Sequence, residues 1–466
     1  MFRKCPVTRC FNSNFGFFAA SGRSRARPPD PGESESPVAG RSRNGILYNA
    51  IAIVQVASKR FLEWTGSVRV LLVTHNVYTE FTSGAARSVR TMMEWLAGDG
   101  HACRVLSAAW FEATANAELD SHLAQLGIAP HRRAVAGGCG VLDYTLAAVP
   151  VTVLATRDHN PNAPDRTEAR QYLLLFREIL REFRPDLVLT YGSHPVLIAA
   201  LHDARASGAV TIRTVRAYGY EHCSWFEYTD RVLTNSPHVT RHYREQIGLD
   251  STPLPSPIVW SEVLGRADAR RFLTFVNPSL HKGAALFARL ADMLGRARPD
   301  IPILIIQSGV AAVRLGAVEG LDLARYPQIV VRPPISDARD LYGLTRLLLV
   351  PSVFHEPFGR VAAEAMINGI PTLVSDRGAL PETVGDGGIV LPVPAWMEPG
   401  GRHVPEAEEV TPWFEAVTRL WDDTAEYQRV ATAARAAAHR LYDETSLRRR
   451  HAAFFTTPGP FPPLFG

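Results

Sequence analysis

The sequence predicts an α/β protein built from two doubly wound parallel-sheet domains that face a central cleft. Three observations carry that expectation. Short apolar runs alternate with longer helix-like stretches, and the alternation breaks near residues 250–268 and then restarts. The third is length: at about 150 residues per domain, 466 residues leave room for two or three domains. Hydrophobic residues make up 46% and charged residues 21%, so there is enough apolar material for more than one core.

The first 66 residues differ from the rest. They hold 10 Lys/Arg against 4 Asp/Glu, whereas residues 67–466 hold 40 against 42. The basic charge therefore belongs to the N-terminal segment, and the body gives no charge argument for a nucleic-acid partner. The stretch Arg27-Pro-Pro-Asp-Pro-Gly-Glu-Ser-Glu-Ser-Pro cannot bury a core, so residues 1–66 are expected to be a disordered or poorly ordered extension, with residues 1–60 dispensable for folding. The longest apolar candidate, residues 46–57, is broken by Asn49 and Gln55, and no run reaches the ~20 residues of a membrane helix. Cys5, Cys10, Cys103, Cys139 and Cys223 are odd in number and lack C-x-x-C spacing. That excludes a disulfide scaffold and a zinc ribbon, and fits a reducing, cytoplasmic setting.

The body opens with residues 68–74, Val-Arg-Val-Leu-Leu-Val-Thr, the pattern of a strand buried on both faces. Ser83-Gly84-Ala85-Ala86 forms a loop, residues 87–97 read as a helix, and residues 103–107 as the next strand. The pattern recurs as a strand at 186–190, a helix at 197–206, and strands at 211–215 and 231–235. Thr252-Pro-Leu-Pro-Ser-Pro marks the break. Strands come next at 272–276, 303–306, 347–350 and 372–375, with a helix after Lys282. Beyond about residue 404 the chain reads as helical and ends in a Pro-rich tail at 458–463. The expected organisation is an N-terminal Rossmann-like domain at 67–257, a linker at 258–268 and a second Rossmann-like domain at 269–440. Residues 441–466 are expected to pack back on the first domain. Neither G-x-G-x-x-G nor G-x-x-x-x-G-K-[ST] is present, which argues against classical dinucleotide and P-loop sites.

The most informative chemistry lies between residues 347 and 371. A buried strand ends at Val350, a loop carries His355 and Glu356, and a helix starts near Phe358 or Gly359. Glu364 then lies about five residues inside that helix, roughly 7 Å from its start. The N–H groups of Gly359 and Arg360 fall between the two carboxylates, at the positive end of the helix dipole. A carboxylate, an anion site and a second carboxylate match a sugar, a diphosphate and a ribose, because carboxylates accept two hydrogen bonds from a diol. Glu364 is flanked by Val361-Ala-Ala and Ala-Met-Ile, an awkward place for a merely solvated charge. Lys282 stands out by composition: only Lys4, Lys59 and Lys282 are lysines among 50 basic residues. A compact point charge is where Arg cannot replace Lys.

These residues resemble the retaining glycosyltransferases of the GT-B fold, specifically glycosyltransferase family 4. The E-x7-E signature is matched by Glu356 and Glu364, and Pro351-Ser352, Glu364-Ala-Met, Gly369-Ile-Pro371 and residues 375–382 also match. Ala379 stands where the second glycine of the family's turn is usual. The resemblance implies that Glu356 contacts the donor sugar and Glu364 the ribose. It implies that Lys282 meets the diphosphate. The family's partner Arg is replaced here by Asn277, with Arg360 the expected compensation. Phe358, Gly359 and Gly84 are expected on the donor side. Arg216 occupies the position where relatives carry a His near the reacting sugar, and His194 is the alternative; both are expected on the acceptor side.

The implied activity is hexosyl transfer (EC 2.4) from a UDP- or GDP-sugar to an acceptor hydroxyl in glycan, polysaccharide or glycolipid synthesis. No D-x-D signature precedes the site, so neither a metal nor another cofactor is expected. The expected partners are the nucleotide sugar and a glycan, lipid or small-molecule acceptor, with peripheral contact at the inner membrane face. A nucleotide-sugar epimerase of the same fold and a non-catalytic sugar-nucleotide or glycan-binding protein remain as alternatives.

Overall fold

The computed structural model describes residues 66–80, 83–111, 118–134, 139–156, 165–307, 321–457 and 464–465. Both sheet domains belong to one unit, Phe61–Gly466. The expectations for residues 1–65 and for the Pro-rich tail at 458–463 lie outside the described residues.

The N-terminal domain runs β1 (Arg69–Thr74), α1 (Gly84–Gly98), β2 (Ala102–Ala108), α2 (Leu119–Gln125), β3 (His131–Ala134), β4 (Gly140–Leu146), β5 (Val149–Ala155), α3 (Arg166–Phe183), β6 (Leu187–Tyr191), α4 (Pro195–Ala206), β7 (Val210–Val215), β8 (Arg231–Thr234), α5 (Pro237–Ile247) and β9 (Thr252–Pro253). Among the described residues its strands are ordered β3-β4-β5-β2-β1-β6-β7-β8-β9. All pairs are parallel except β3–β4 and β4–β5. That antiparallel edge escapes the sequence patterns, because His131-Arg-Arg-Ala is largely exposed and carries no apolar run.

The second domain runs β10 (Phe272–Val276), α6 (Ala284–Ala297), β11 (Ile303–Ile306), β12 (Ile329–Arg332), α7 (Ala338–Leu344), β13 (Thr345–Val350), α8 (Arg360–Ile367), β14 (Thr372–Ser375), α9 (Leu380–Val384) and β15 (Ile389–Leu391). Its strand order is β12-β11-β10-β13-β14-β15, parallel throughout. The order reverses between β10 and β13. In an open parallel sheet, ligands bind in the crevice outside the carboxyl ends of strands at such a reversal. Helices α10 (Ala407–Asp422), α11 (Thr424–Tyr442) and α12 (Glu444–Thr456) follow.

Both sheets bury two faces, as their near-continuous apolar strands require. In the second domain Leu273, Ile303 and Leu347 pack with Phe287 of α6 and Trp413 of α10. Leu304, Leu348 and Val374 pack on the other side with Met366 of α8 and Ala434 of α11. In the first domain Val70 and Leu72 pack toward Met92 of α1, and Leu71 and Val73 toward Phe176 of α3. Phe454 and Phe455 of α12 sit in the core of this N-terminal domain. No helix among the described residues is long and apolar enough to cross a membrane.

Candidate donor-binding cleft

Glu356 is held by a loop that is locked from three sides. Ser375 Oγ donates to the Ser352 carbonyl (2.7 Å), and Ser352 Oγ donates to Glu356 Oε1 (2.7 Å). The amide of Ala379 donates to the Glu356 carbonyl (2.8 Å). Gly378, at φ +62°, lies directly against this backbone, and a Cβ there would fall 2.5 Å from Glu356 N. Any side chain at 378 would therefore displace the glutamate.

Lys282 closes a short turn after β10, capped by Ser279. The next residue, Gly283, adopts φ +84°, and a Cβ on it would fall 1.9 Å from the Pro351 carbonyl oxygen. The amides of Val353 and Phe354 donate to the His281 carbonyl at 3.1 and 3.0 Å. The two loops at the strand reversal are thus built against each other. Lys282 Nζ reaches Glu356 Oε1 at 2.5 Å. The two residues that the sequence assigns to diphosphate and sugar form one ion pair.

Glu364 lies on α8, whose N-cap is Gly359. Its side chain is 2% exposed. Tyr342 donates to Oε2 (2.8 Å), Arg360 Nε donates to Oε1 (2.6 Å), and Arg87 of α1 approaches Oε1 at 3.6 Å. Burial alone would raise the Glu364 carboxyl. Arg87 and Arg360, with the hydrogen bonds from Tyr342 and Arg360, outweigh it and hold the group below its usual range. Arg360 also donates from Nη1 to Ser88 Oγ (3.2 Å) and to the Pro257 carbonyl (2.8 Å). Its guanidinium is therefore committed to Glu364, α1 and the interdomain segment. The sequence expectation that it replaces the missing diphosphate Arg finds a side chain turned to another task.

Two adjoining hollows meet at Val276 and Val361. One, of about 420 Å³, is lined by Gly84, Arg216, Asn277, Lys282, Glu356 and Arg360 among others. Phe358 and Gly359 also face it. The other, of about 580 Å³, is lined by Arg87, Ile306, Ile335, Tyr342 and Glu364 among others. Each falls within the ~300–1,000 Å³ of small-molecule sites. The cleft holds a carboxylate at each end and the first turn of α8 between them, where N–H groups lack intrahelical acceptors. That order suits a ligand with hydroxyls at both ends and an anion in the middle.

Of the residues singled out from sequence, Gly84, Arg216, Asn277, Lys282, Glu356, Phe358, Gly359 and Arg360 converge on the smaller hollow, and Glu364 lies in the larger. Arg216, expected on the acceptor side, thus lines the same hollow as Lys282. His194 does not line either hollow. Its Nδ1 caps α4 by accepting from the Val196 amide (3.1 Å), and its ring stacks on Trp110 at 4.8 Å. Sequence reasoning missed Arg87 and Tyr342, and held Ser352 only as part of the matching motif, without a role. Arg87 alone carried a signal, since it stands three residues after Gly84 on the same helix face. Among the described residues, no group of three or more His, Cys, Asp or Glu could hold a metal ion.

Fold and cleft define a two-domain α/β protein with a helix N-terminus flanked by carboxylates at a strand-order reversal. The family described as Glycosyl transferases group 1 matches residues 272–423, and Glycosyltransferase Family 4 matches residues 82–255. One match falls in each sheet domain, and together they cover well over half of the chain. The chain belongs to this family of group 1, family 4 glycosyltransferases. It is similar to the O-antigen chain mannosyltransferase B of Escherichia coli, at 35% identity over 18% of this chain and 22% of that protein. It is also similar to the D-inositol 3-phosphate glycosyltransferase of Paenarthrobacter aurescens, at 28% identity over 30% of this chain and 33% of that one. These matches span a third or less of either relative. Among solved structures, Anabaena HepE in complex with UDP-glucose superposes with a TM-score of 0.60 at 14% identity, over 84% of this chain and 100% of that one. The GT-B fold is thereby shared.

Proposed function

We propose that this protein transfers a hexosyl group from a UDP- or GDP-sugar to an acceptor hydroxyl, with retention at the anomeric carbon, in glycan, polysaccharide or glycolipid synthesis. The observation that carries the proposal is the Lys282–Glu356 pair set across the start of α8 from Glu364 at the sheet's strand reversal. The UDP-glucose complex of a protein with this fold supports a nucleotide-sugar ligand.

In this reading Glu364 and its arginines take the ribose end, α8 and Lys282 the diphosphate, and Glu356 the sugar hydroxyls. The bond from the anomeric carbon to the phosphate oxygen breaks. The acceptor oxygen bonds the same carbon from the same face, and its proton passes to the departing phosphate oxygen. Negative charge grows on the diphosphate as the bond breaks, and donors aimed at growing charge contribute ~3–4 kcal/mol each. The reading places that charge on Lys282 and the α8 amides and needs no metal ion. It places the work in the cytoplasm, with peripheral contact at the inner membrane face where the acceptor is a lipid.

The test is incubation with UDP-, GDP- and ADP-hexoses, measuring nucleoside diphosphate release with and without candidate acceptors. Turnover of one donor, lost in Glu356→Gln, is the expected result. A donor epimerised without acceptor would make the protein an epimerase. Tight donor binding with no turnover would make it a binding protein.

A further inference from the structure

Arg216 follows β7 in the N-terminal domain and is 6% exposed. A buried guanidinium ordinarily has a carboxylate partner, because removing an unpaired charge from water is costly. Arg216 has none among the described residues. Nε donates to Thr214 Oγ1 (2.8 Å) and Nη1 to Ser256 Oγ (3.1 Å), both uncharged acceptors. Nη2 is buried with no acceptor. The neighbouring charge that acts on it is a second cation, Arg360. Burial first, and then Arg360, pull the Arg216 guanidinium down to about 9.

The same hollow has a matching deficit on its other wall. Lys282 supplies one cation, already paired with Glu356, so the pair is neutral as a unit. Asn277, at φ +62°, adds no charge, and its buried Oδ1 has no donor. Arg360, which also lines the hollow, is spent on Glu364. A diphosphate brought to the α8 N-terminus thus meets one neutralised lysine from its own domain and one uncompensated arginine from the opposite domain.

We infer that Arg216 is the second cationic ligand of the donor diphosphate, supplied across the cleft by the N-terminal domain in place of a cation at position 277. The inference rests on the nucleotide-sugar reading proposed above and assigns it a residue. A planar guanidinium with an unused N–H edge suits bidentate phosphate contact. The leaving-group site is then complete only when both domains close on the donor. The unliganded protein carries an unpaired buried charge that the ligand neutralises.

The wild type is titrated calorimetrically with UDP, GDP and ADP, and the tightest is compared with its monophosphate in Arg216→Met and Arg216→Lys. Arg216→Met should bind the diphosphate about tenfold or more weakly, and the monophosphate within about threefold of wild type, because the charge-assisted contact is to the second phosphate. Its melting temperature without ligand should be unchanged or higher, because an unpaired buried charge has gone. A purely structural Arg216 would give the reverse: a lower melting temperature and unchanged diphosphate selectivity. Should Arg216→Met not fold, Arg216→Lys decides: a diphosphate-selective loss of about threefold supports the inference, and equal affinity overturns it. Equal losses for diphosphate and monophosphate also overturn it. If the wild type binds none of the three diphosphates, the nucleotide-sugar reading fails and takes this inference with it. If the wild type binds one and the Arg216 variants bind it equally well, this inference fails alone.

Discussion

In the proposed reading Lys282, paired with Glu356 at 2.5 Å, meets the diphosphate oxygens as the sugar bond breaks. An interaction that strengthens toward the transition state falls on kcat when lost. Lys282→Met keeps the apolar stem, and we expect at least a ~100-fold drop in kcat, about 2.7 kcal/mol, with a much smaller change in donor affinity. Lys282→Arg should recover only part, since the planar group must fit beside Gly283, whose backbone already abuts Pro351. Full activity in Lys282→Met would remove Lys282 from the site. Glu364 makes a different case. A ribose contact is the same before and during reaction, so Glu364→Ala should raise donor KM through a loss of ~1.5–3 kcal/mol and change kcat less. It also strips Arg360 and Arg87 of their buried partner, and a drop in stability of about 3–5 kcal/mol should accompany it. An unchanged denaturation midpoint would refute that network. Glu356 and Glu364 were legible because local spacing fixes their places on a strand–loop–helix unit, and Lys282 because it is one of only three lysines among 50 basic residues. Arg87 and Tyr342 were not, because their partner Glu364 is distant in sequence and only the fold brings them together.

Helix α12 shows the same division. Its helical character is evident in the sequence, but its electrostatics come from where it docks. His451 is almost fully buried and donates from Nε2 to the Pro255 carbonyl (3.0 Å). Burial is the main cause that pulls its imidazole down to about 3, and burial does the same to His75 after β1. Above pH ~6.5 these histidines are neutral in folded and unfolded chains alike. Between about 6.5 and 3 the unfolded chain takes up protons that the folded one does not. Stability should therefore fall as pH falls, by up to about 1.4 kcal/mol per pH unit for each group. Melting temperatures measured from pH 7 to pH 4.5 should decline, and His451→Gln should flatten the decline. A wild-type profile that is level over that range would contradict the burial of these rings. Strands β10 and β13 were legible as apolar runs, whereas the antiparallel β3–β4–β5 edge was not, since its pairing depends on turn geometry more than on hydrophobic pattern.

Across the whole molecule the chain passes from one domain to the other and back. Helix α11 packs on α8 in the second domain, and α12 then lays Phe454 and Phe455 into the core of the first. Arg448 of α12 pairs with Asp99 at 2.8 Å, just beyond α1. The full chain should therefore melt as one calorimetric transition. Removal of residues 443–466 takes two buried aromatics from the N-terminal core, worth ~3–5 kcal/mol each when truncated. The shortened protein should show two transitions, the lower belonging to the N-terminal domain. One undivided peak in the truncated protein would mean that α12 does not tie the domains together. The sequence announced two sheets and a cleft because parallel strands buried on both faces carry their own signature. It was silent on which side chains cross the cleft, since a contact between domains has no period.

Lys282 is also the only lysine between residues 61 and 466. Any reagent selective for primary amines thus finds a single side-chain target in the folded body, and that target sits in the cleft. After reductive methylation with isotope-labelled formaldehyde, the body would give one dimethyl-lysine resonance, apart from those of Lys4, Lys59 and the amino terminus. The composition of the protein has made one side chain of the cleft a spectroscopic reporter, read without substituting any residue.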